Sequence, residues 1–293
     1  MIKPIQKDLT FGCEWTFGQC LDYITYNNIF YKEKGTDRWG STIYVKTIFY
    51  KKLKFFVKDI QRDSCCIELP SKKYVFSDLS TYNSDYLEVR KLMYSKDFKE
   101  SSNYDSIENE GGGHIHIGLQ FLKSKKEKNL FIRNMNIFSI NYPELSWIFN
   151  NPFDKDNSIS LLANNECMGI INNECYGDKD NGIIFNNVYN TMELRFFMMH
   201  RSLEESHLHL SLAFAIYNYL YRLTKKDTKL YMQYTDYDQF PKTYAQSCKN
   251  AFNLFNLLGL SEKEINTIKK TRFKYMKKRF EHDKYYKKRE LCC

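Results

Sequence analysis

The stretch that most limits how this chain can fold is Gly111-Gly112-Gly113-His114-Ile115-His116-Ile117-Gly118. Side chains alternate across a strand, so His114, His116 and Gly118 share one face while Ile115 and Ile117 share the other. The isoleucine face needs a core, which leaves the histidine face to carry chemistry. Each glycine costs backbone entropy on ordering, so three in a row imply close approach of a ligand or a positive backbone angle. The reading that follows is a sheet floor that binds a metal or a phosphate. A plainer reading stays open for a His-X-His taken alone: two histidines on the exposed face of a strand that follows a loop.

Three other segments tilt the balance, because each has strand-like apolar alternation interrupted by a carboxylate. They are Phe11-Gly12-Cys13-Glu14-Trp15-Thr16-Phe17, Cys65-Cys66-Ile67-Glu68-Leu69-Pro70 and Thr191-Met192-Glu193-Leu194-Arg195-Phe196-Phe197. Charges on an apolar strand are rarely buried unpaired. Glu14, Glu68 and Glu193 together therefore suggest a shared cation, and Arg195 lies on the same strand face as Glu193.

At 293 residues, 43% hydrophobic and 16% aromatic, the chain can build one large core or a core with a helical appendage. No apolar run reaches the length of a membrane span, and the N-terminus lacks the apolar stretch of a signal peptide, so the expectation is a cytoplasmic protein with no membrane partner. Nine cysteines, odd in number and without a Cys-X-X-Cys, point to reduced thiols rather than a disulfide framework. The net charge of +9 is local: residues 269–293 hold eleven Lys or Arg against three Asp or Glu, which leaves only +1 for the rest. Such a run is more often a solvated helix face than a nucleic-acid site, although the basic helix leaves nucleic acid open.

In chain order, alternation predicts strands over 9–17, 42–50, 53–59, 65–69 and 191–198. A two-residue turn at Arg62-Asp63 would pair Val57 with Glu68 and leave Asp59 diagonal to Glu68; a three-residue loop would put the two acids on opposite faces. Helices are predicted over 84–99, 126–139, 202–223 and 242–258, the last stopped by Gly259. Ser261 and Glu264 form a capping box that opens a long basic helix. The asparagine-rich stretch 150–190 reads as loops over a site. The expected class is α+β, an antiparallel sheet with helices between strands and at the C-terminal end, divided into a domain over 1–259 and a basic helical segment over 260–293.

With Phe-Gly-Cys-Glu, Ile-Glu-Leu-Pro-Ser, Gly-Gly-His-Ile-His-Ile-Gly and Met-Glu-Leu-Arg-Phe in this order, residues 9–225 resemble the amidoligases of the glutamine-synthetase-like carboxylate-amine ligase superfamily, relatives of the glutamate-cysteine ligases. The resemblance implies a curved antiparallel sheet with helices packed on its outer face and an active-site funnel on the concave side. It implies ATP-dependent amide formation between a small-molecule or peptide carboxylate and an amine, with Mg2+ or Mn2+. By position, Glu14, Glu68, His116 and Glu193 match the metal-contacting residues, and Asp59 is a weaker match. Glu193 and Arg195 are the candidate catalytic residues; His114, His116, Arg195, Gly112 and Gly113 are the candidates for cofactor contact. Such chemistry gathers negative oxygens, so divalent cations and an arginine serve it better than a base. One position departs from the family, since Thr16 stands where a second acid is usual.

Other metal folds with His-X-His fail on spacing: Phe121 stands where a cupin needs glutamate, and Gly118 where a metallo-β-lactamase-like site needs aspartate. A zinc hydrolase using His114, His116 and Glu193 is a lesser alternative, as is a ligase-fold protein that binds without catalysing.

Overall fold

A computed structural model describes residues 1–17, 27, 29–63, 66–95, 112–149, 182–198, 200–233 and 241–290. The expected loops at 100–110 and through most of 150–190 fall outside these residues. The strands are β1 (Thr10–Phe17), β2 (Tyr31–Thr36), β3 (Thr42–Lys46), β4 (Gln61–Asp63), β5 (Cys66–Pro70), β6 (Tyr74–Val75), β7 (Ile115–Gly118), β8 (Ile183–Asn186) and β9 (Thr191–Leu194). The helices are α1 (Ile48–Lys54), α2 (Leu79–Met93), α3 (Lys125–Asn141), α4 (Glu144–Phe149), α5 (Leu203–Lys225), α6 (Tyr244–Leu257) and α7 (Glu262–Glu290). The class is α+β. Seven strands form one sheet in the order β4-β5-β1-β7-β9-β8, with β6 also pairing with β1, and every pairing is antiparallel.

The alternation of β1 divides the molecule into two sides. Phe11, Cys13, Trp15 and Phe17 are buried, whereas Gly12, Glu14 and Thr16 are half-buried on the opposite face. The aromatic face packs on helices: Phe11 meets Phe214 of α5 edge-on at 5.6 Å, and Trp15 meets Tyr86 of α2 at 5.8 Å. Such contacts add to the hydrophobic gain of burial. The half-buried face is left for polar groups.

Three sequence expectations need correction. Residues 53–59 do not form a strand: Thr47 Oγ1 accepts the Tyr50 N–H and caps α1, which buries Tyr50 and Leu53 at a helical spacing of three. The aromatic and β-branched content of this region imitated a strand, but the cap and the spacing decide for helix. The predicted strand 42–50 is limited to β3, which among the described residues pairs with β2 in a separate two-stranded sheet. The hairpin register also differs from the two-residue turn at Arg62-Asp63. Gln61 pairs with Glu68 and Asp63 with Cys66, so Val57 instead bridges Ser71. Without a glycine to mark the turn, the sequence could not set this register.

At the C-terminal end, Gly259 takes a positive φ of 74° past the end of α6, and Ser261 and Glu264 cap each other's backbone at the start of α7. The first turns of α7 are part of the core. Ile268, Phe273 and Met276 are buried, and the helix packs on α4 and α6. Arg272, 2% exposed, is ion-paired with Glu205 of α5.

Glu144 on α4 is fully buried, with Oε1 accepting from Asn250 Nδ2 at 3.1 Å. Burial pushes its carboxyl up from 4.5 to about 7, against the opposing effect of its hydrogen bonds. The unfolded chain releases this proton first, so stability falls as pH rises from about 4.5 to about 7 and is level outside that window. Glu144→Gln removes the titration. Relative to the wild type, the variant is expected to gain on the order of 3 kcal/mol between those limits. Urea unfolding of both proteins at pH 4.5 and 7.5 measures the gain, and parallel pH profiles would contradict it.

Candidate metal centre

Three neighbouring strands of the sheet supply the site. In the ladder, His116 of β7 stands between Gly12 of β1 and Glu193 of β9, and Glu14 lies one step along β1 on the same face. Glu14, His116 and Glu193 each present one ligand atom, and these atoms all lie within 4.8 Å of one another. Metal–oxygen and metal–nitrogen bonds of about 2.0–2.6 Å allow three donors at such separations to share one ion. Two carboxylates and an imidazole are hard-to-borderline ligands, which suit magnesium or manganese and also admit zinc.

The contacts within the cluster are short and directional. Glu14 Oε1 lies 2.9 Å from His116 Nε2, and Glu14 Oε2 lies 3.0 Å from His114 Nδ1. Burial alone would raise the Glu14 carboxyl, but the two imidazoles outweigh it and hold the group well below the usual carboxylate range. For His116, burial works against the charged form, yet the Glu14 contact prevails and its pKa is raised. Its other nitrogen, Nδ1, lies 3.1 Å from Thr191 Oγ1, which fixes the ring so that Nε2 faces the carboxylates.

Glu193, 3% exposed, accepts from Arg195 Nη1 at 2.5 Å and from Asn186 Nδ2 at 2.9 Å. Both of its oxygens are thereby oriented. Arg195 Nε is buried without a hydrogen-bond partner among the described residues.

The other sequence candidates are placed differently. Glu68 stands opposite Thr16 on the site face, a diagonal step from Glu14 that spans roughly 7–8 Å in a regular sheet. It is outside the triad. Asp59 lies beyond β4, and its carboxylate is held by Lys54 Nζ at 3.4 Å, Ile60 N at 2.9 Å and Gln61 Nε2 at 3.2 Å. Neither acid joins the three converging donors.

Packing of the chain on itself accounts for Gly112 and Gly113, and neither has a positive φ. A Cβ on Gly113 would sit 2.4 Å from the Met198 carbonyl and 2.7 Å from the His200 ring, while one on Gly112 would sit 2.9 Å from His114 Nε2. His200 then supports the strand: its Nε2 must donate to the Gly113 carbonyl at 3.3 Å, and its Nδ1 lies 3.1 Å from Ser206 Oγ. Burial pushes His200 down to about 3, so it stays neutral in this role.

Sequence reasoning missed Asn186, Thr191 and His200. For Thr191 a signal existed, since it lies two positions before Glu193 and so on the same strand face. Asn186 had none, because its place depends on the pairing of β8 with β9.

His116, which belongs to the triad, and His114, which contacts it through Glu14, separate by substitution. His116→Ala is expected to weaken Mn2+ binding by about 100-fold, and His114→Ala by about tenfold, as for a group that orients a ligand. Calorimetric titration of both variants decides the order, and the reverse order would move the site by two residues. No protein-family model matches the sequence, and no curated protein matches it either.

Proposed function

We propose that this protein is an ATP-dependent carboxylate–amine ligase that works at a divalent-metal site, with the glutamine-synthetase-like sheet as part of the proposal. The observation that carries the reading is the convergence of Glu14, His116 and Glu193 from three adjacent strands, with Arg195 bonded to Glu193. The motif order that resembles amidoligases supports the same conclusion.

In this reading a carboxylate oxygen attacks the terminal phosphorus of ATP and ADP leaves. The amine nitrogen then attacks the acyl carbon, inorganic phosphate leaves, and the nitrogen gives up a proton to form the amide. Glu14, His116 and Glu193 would hold Mg2+ or Mn2+, which supplies positive charge to the phosphoryl oxygens. Arg195 would set its guanidinium beside the developing phosphate, and its buried Nε–H has no partner among the described residues. Thr191 and Asn186 keep the imidazole and the carboxylate in place. Thr16, opposite Glu68, leaves this part of the face with one charge fewer than the family pattern.

The test is ADP release by the purified protein with Mn2+ and ATP across pooled amino acids and peptides. ADP formation that requires both a carboxylate and an amine, with an amide product seen by mass spectrometry, is the expected result. No ADP from any pair, together with zinc-dependent cleavage of esters or amides, would replace the ligase with a hydrolase.

A further inference from the structure

We propose that the cavity beside the triad is an oxyanion site, in which Lys58, Lys72 and Lys73 take a phosphate or a second carboxylate of the ligand that reacts at Glu14 and His116. The inference rests on the ligase reading and extends it from the metal to the ligand. The cavity measures about 630 Å³, within the range of small-molecule sites. Glu14 and His116 line it together with the three lysines.

The sheet explains why the two groups can share one ligand. Gly12 is paired with His116 on one side, and on the other a Cβ at Gly12 would meet Ser71 Oγ at 3.4 Å and the Lys72 carbonyl at 3.5 Å. No side chain therefore rises between the imidazole and the segment that carries Lys72 and Lys73. From the far wall Lys58 reaches over the Tyr189 ring, with Nζ 4.4 Å from its centroid, and that ring lies 6.0 Å from the His116 ring. Lys58 thus brings its ammonium toward the triad.

Charge decides what can enter. Lys72 is shared with Asp85 at 3.2 Å, whereas no ion pair of Lys58 or Lys73 is found among the described residues. Lys58 and Lys73 line the cavity together with Glu14, and a ligand that displaced the water of these two ammonium groups without supplying negative charge would leave them uncompensated. Ammonium groups on flexible stems suit phosphate and carboxylate as point charges. The shared chemistry is an oxyanion, either of the ATP phosphates or of an acid substrate with two anionic groups.

The experiment uses the full chain and Lys58→Gln/Lys73→Gln, both changes at exposed positions outside the triad. Calorimetry follows Mn2+ alone, then ATP, glutarate and butyrate in the presence of Mn2+. The double variant is expected to bind Mn2+ as the wild type does and to weaken ATP or glutarate by about tenfold or more. Weakening of ATP alone assigns the site to nucleotide phosphates; weakening of glutarate alone assigns it to the substrate acid. Unchanged affinities for both, or wild-type protein that binds butyrate as tightly as glutarate and does not bind ATP, would overturn the proposal. Wild-type protein without Mn2+ affinity would sink the metal reading separately, and titration of metal-free protein with ATP and glutarate would then test the lysines.

Discussion

Glu14→Ala is expected to abolish divalent-metal binding, with Mn2+ affinity reduced by at least about 100-fold, since even groups that only orient a ligand cost 10–100-fold. Glu14 contacts both imidazoles and has one oxygen in the triad. Its loss removes a charged ligand and leaves two histidines without their acceptor. Glu14→Gln separates these effects, because the amide keeps the shape and can still accept from one imidazole while the charge is gone. Both variants should fail to bind Mn2+ in calorimetry, and the glutamine variant should melt closer to the wild type. Undiminished Mn2+ binding by either would remove the basis of the site.

Truncation after Ile268 is expected to prevent folding, while truncation after Lys277 is tolerated. The shorter chain loses Arg272, Phe273 and Met276, all buried. Loss of a buried Phe costs about 3–5 kcal/mol, loss of a buried Met about 2–5, and breaking a buried ion pair about 3–5. Their total is on the order of 10 kcal/mol, comparable with the whole stability of a typical domain. The longer chain keeps all three residues. Circular dichroism and thermal melting of the two truncations check the contrast, and a cooperative melt from the shorter one would show that α7 is dispensable.

The basic run from residue 269 read as a solvated face, and this explains where sequence reasoning stops. Its lysines dominate the charge count, but Arg272, Phe273 and Met276 follow a buried stripe that only the docked helix reveals. Conversely, β1, β7 and β9 were legible because alternation fixes a face without knowledge of the partners. Phe11, Trp15, Ile115, Ile117 and Met192 all lie in the core, and Glu14, His116 and Glu193 all face away from it. What alternation cannot fix is register, which is why the turn left Asp59 either diagonal to Glu68 or on the opposite face. The same limit hid Asn186, and no periodicity could bring Lys58 across to Tyr189. The three glycines were noticed for a sound reason, their cost, yet for Gly113 the compensation is room for the Met198 carbonyl and the His200 ring.

The pairing of β1 with β7 also bears on how the protein folds. Glu14 meets His116 only after the chain has closed a loop of 102 positions, and β9 must then add on the far side. Closing long loops costs entropy before any contact compensates, so sheets with distant partners assemble slowly. The unfolded chain has nothing that resembles the triad. An ion bound there stabilises only the folded state, by about 2.7 kcal/mol at a hundred times its dissociation constant. If the triad forms after the rate-limiting step, that stabilisation slows unfolding and leaves refolding unchanged. The central strands would then act as a latch that the metal locks behind the fold.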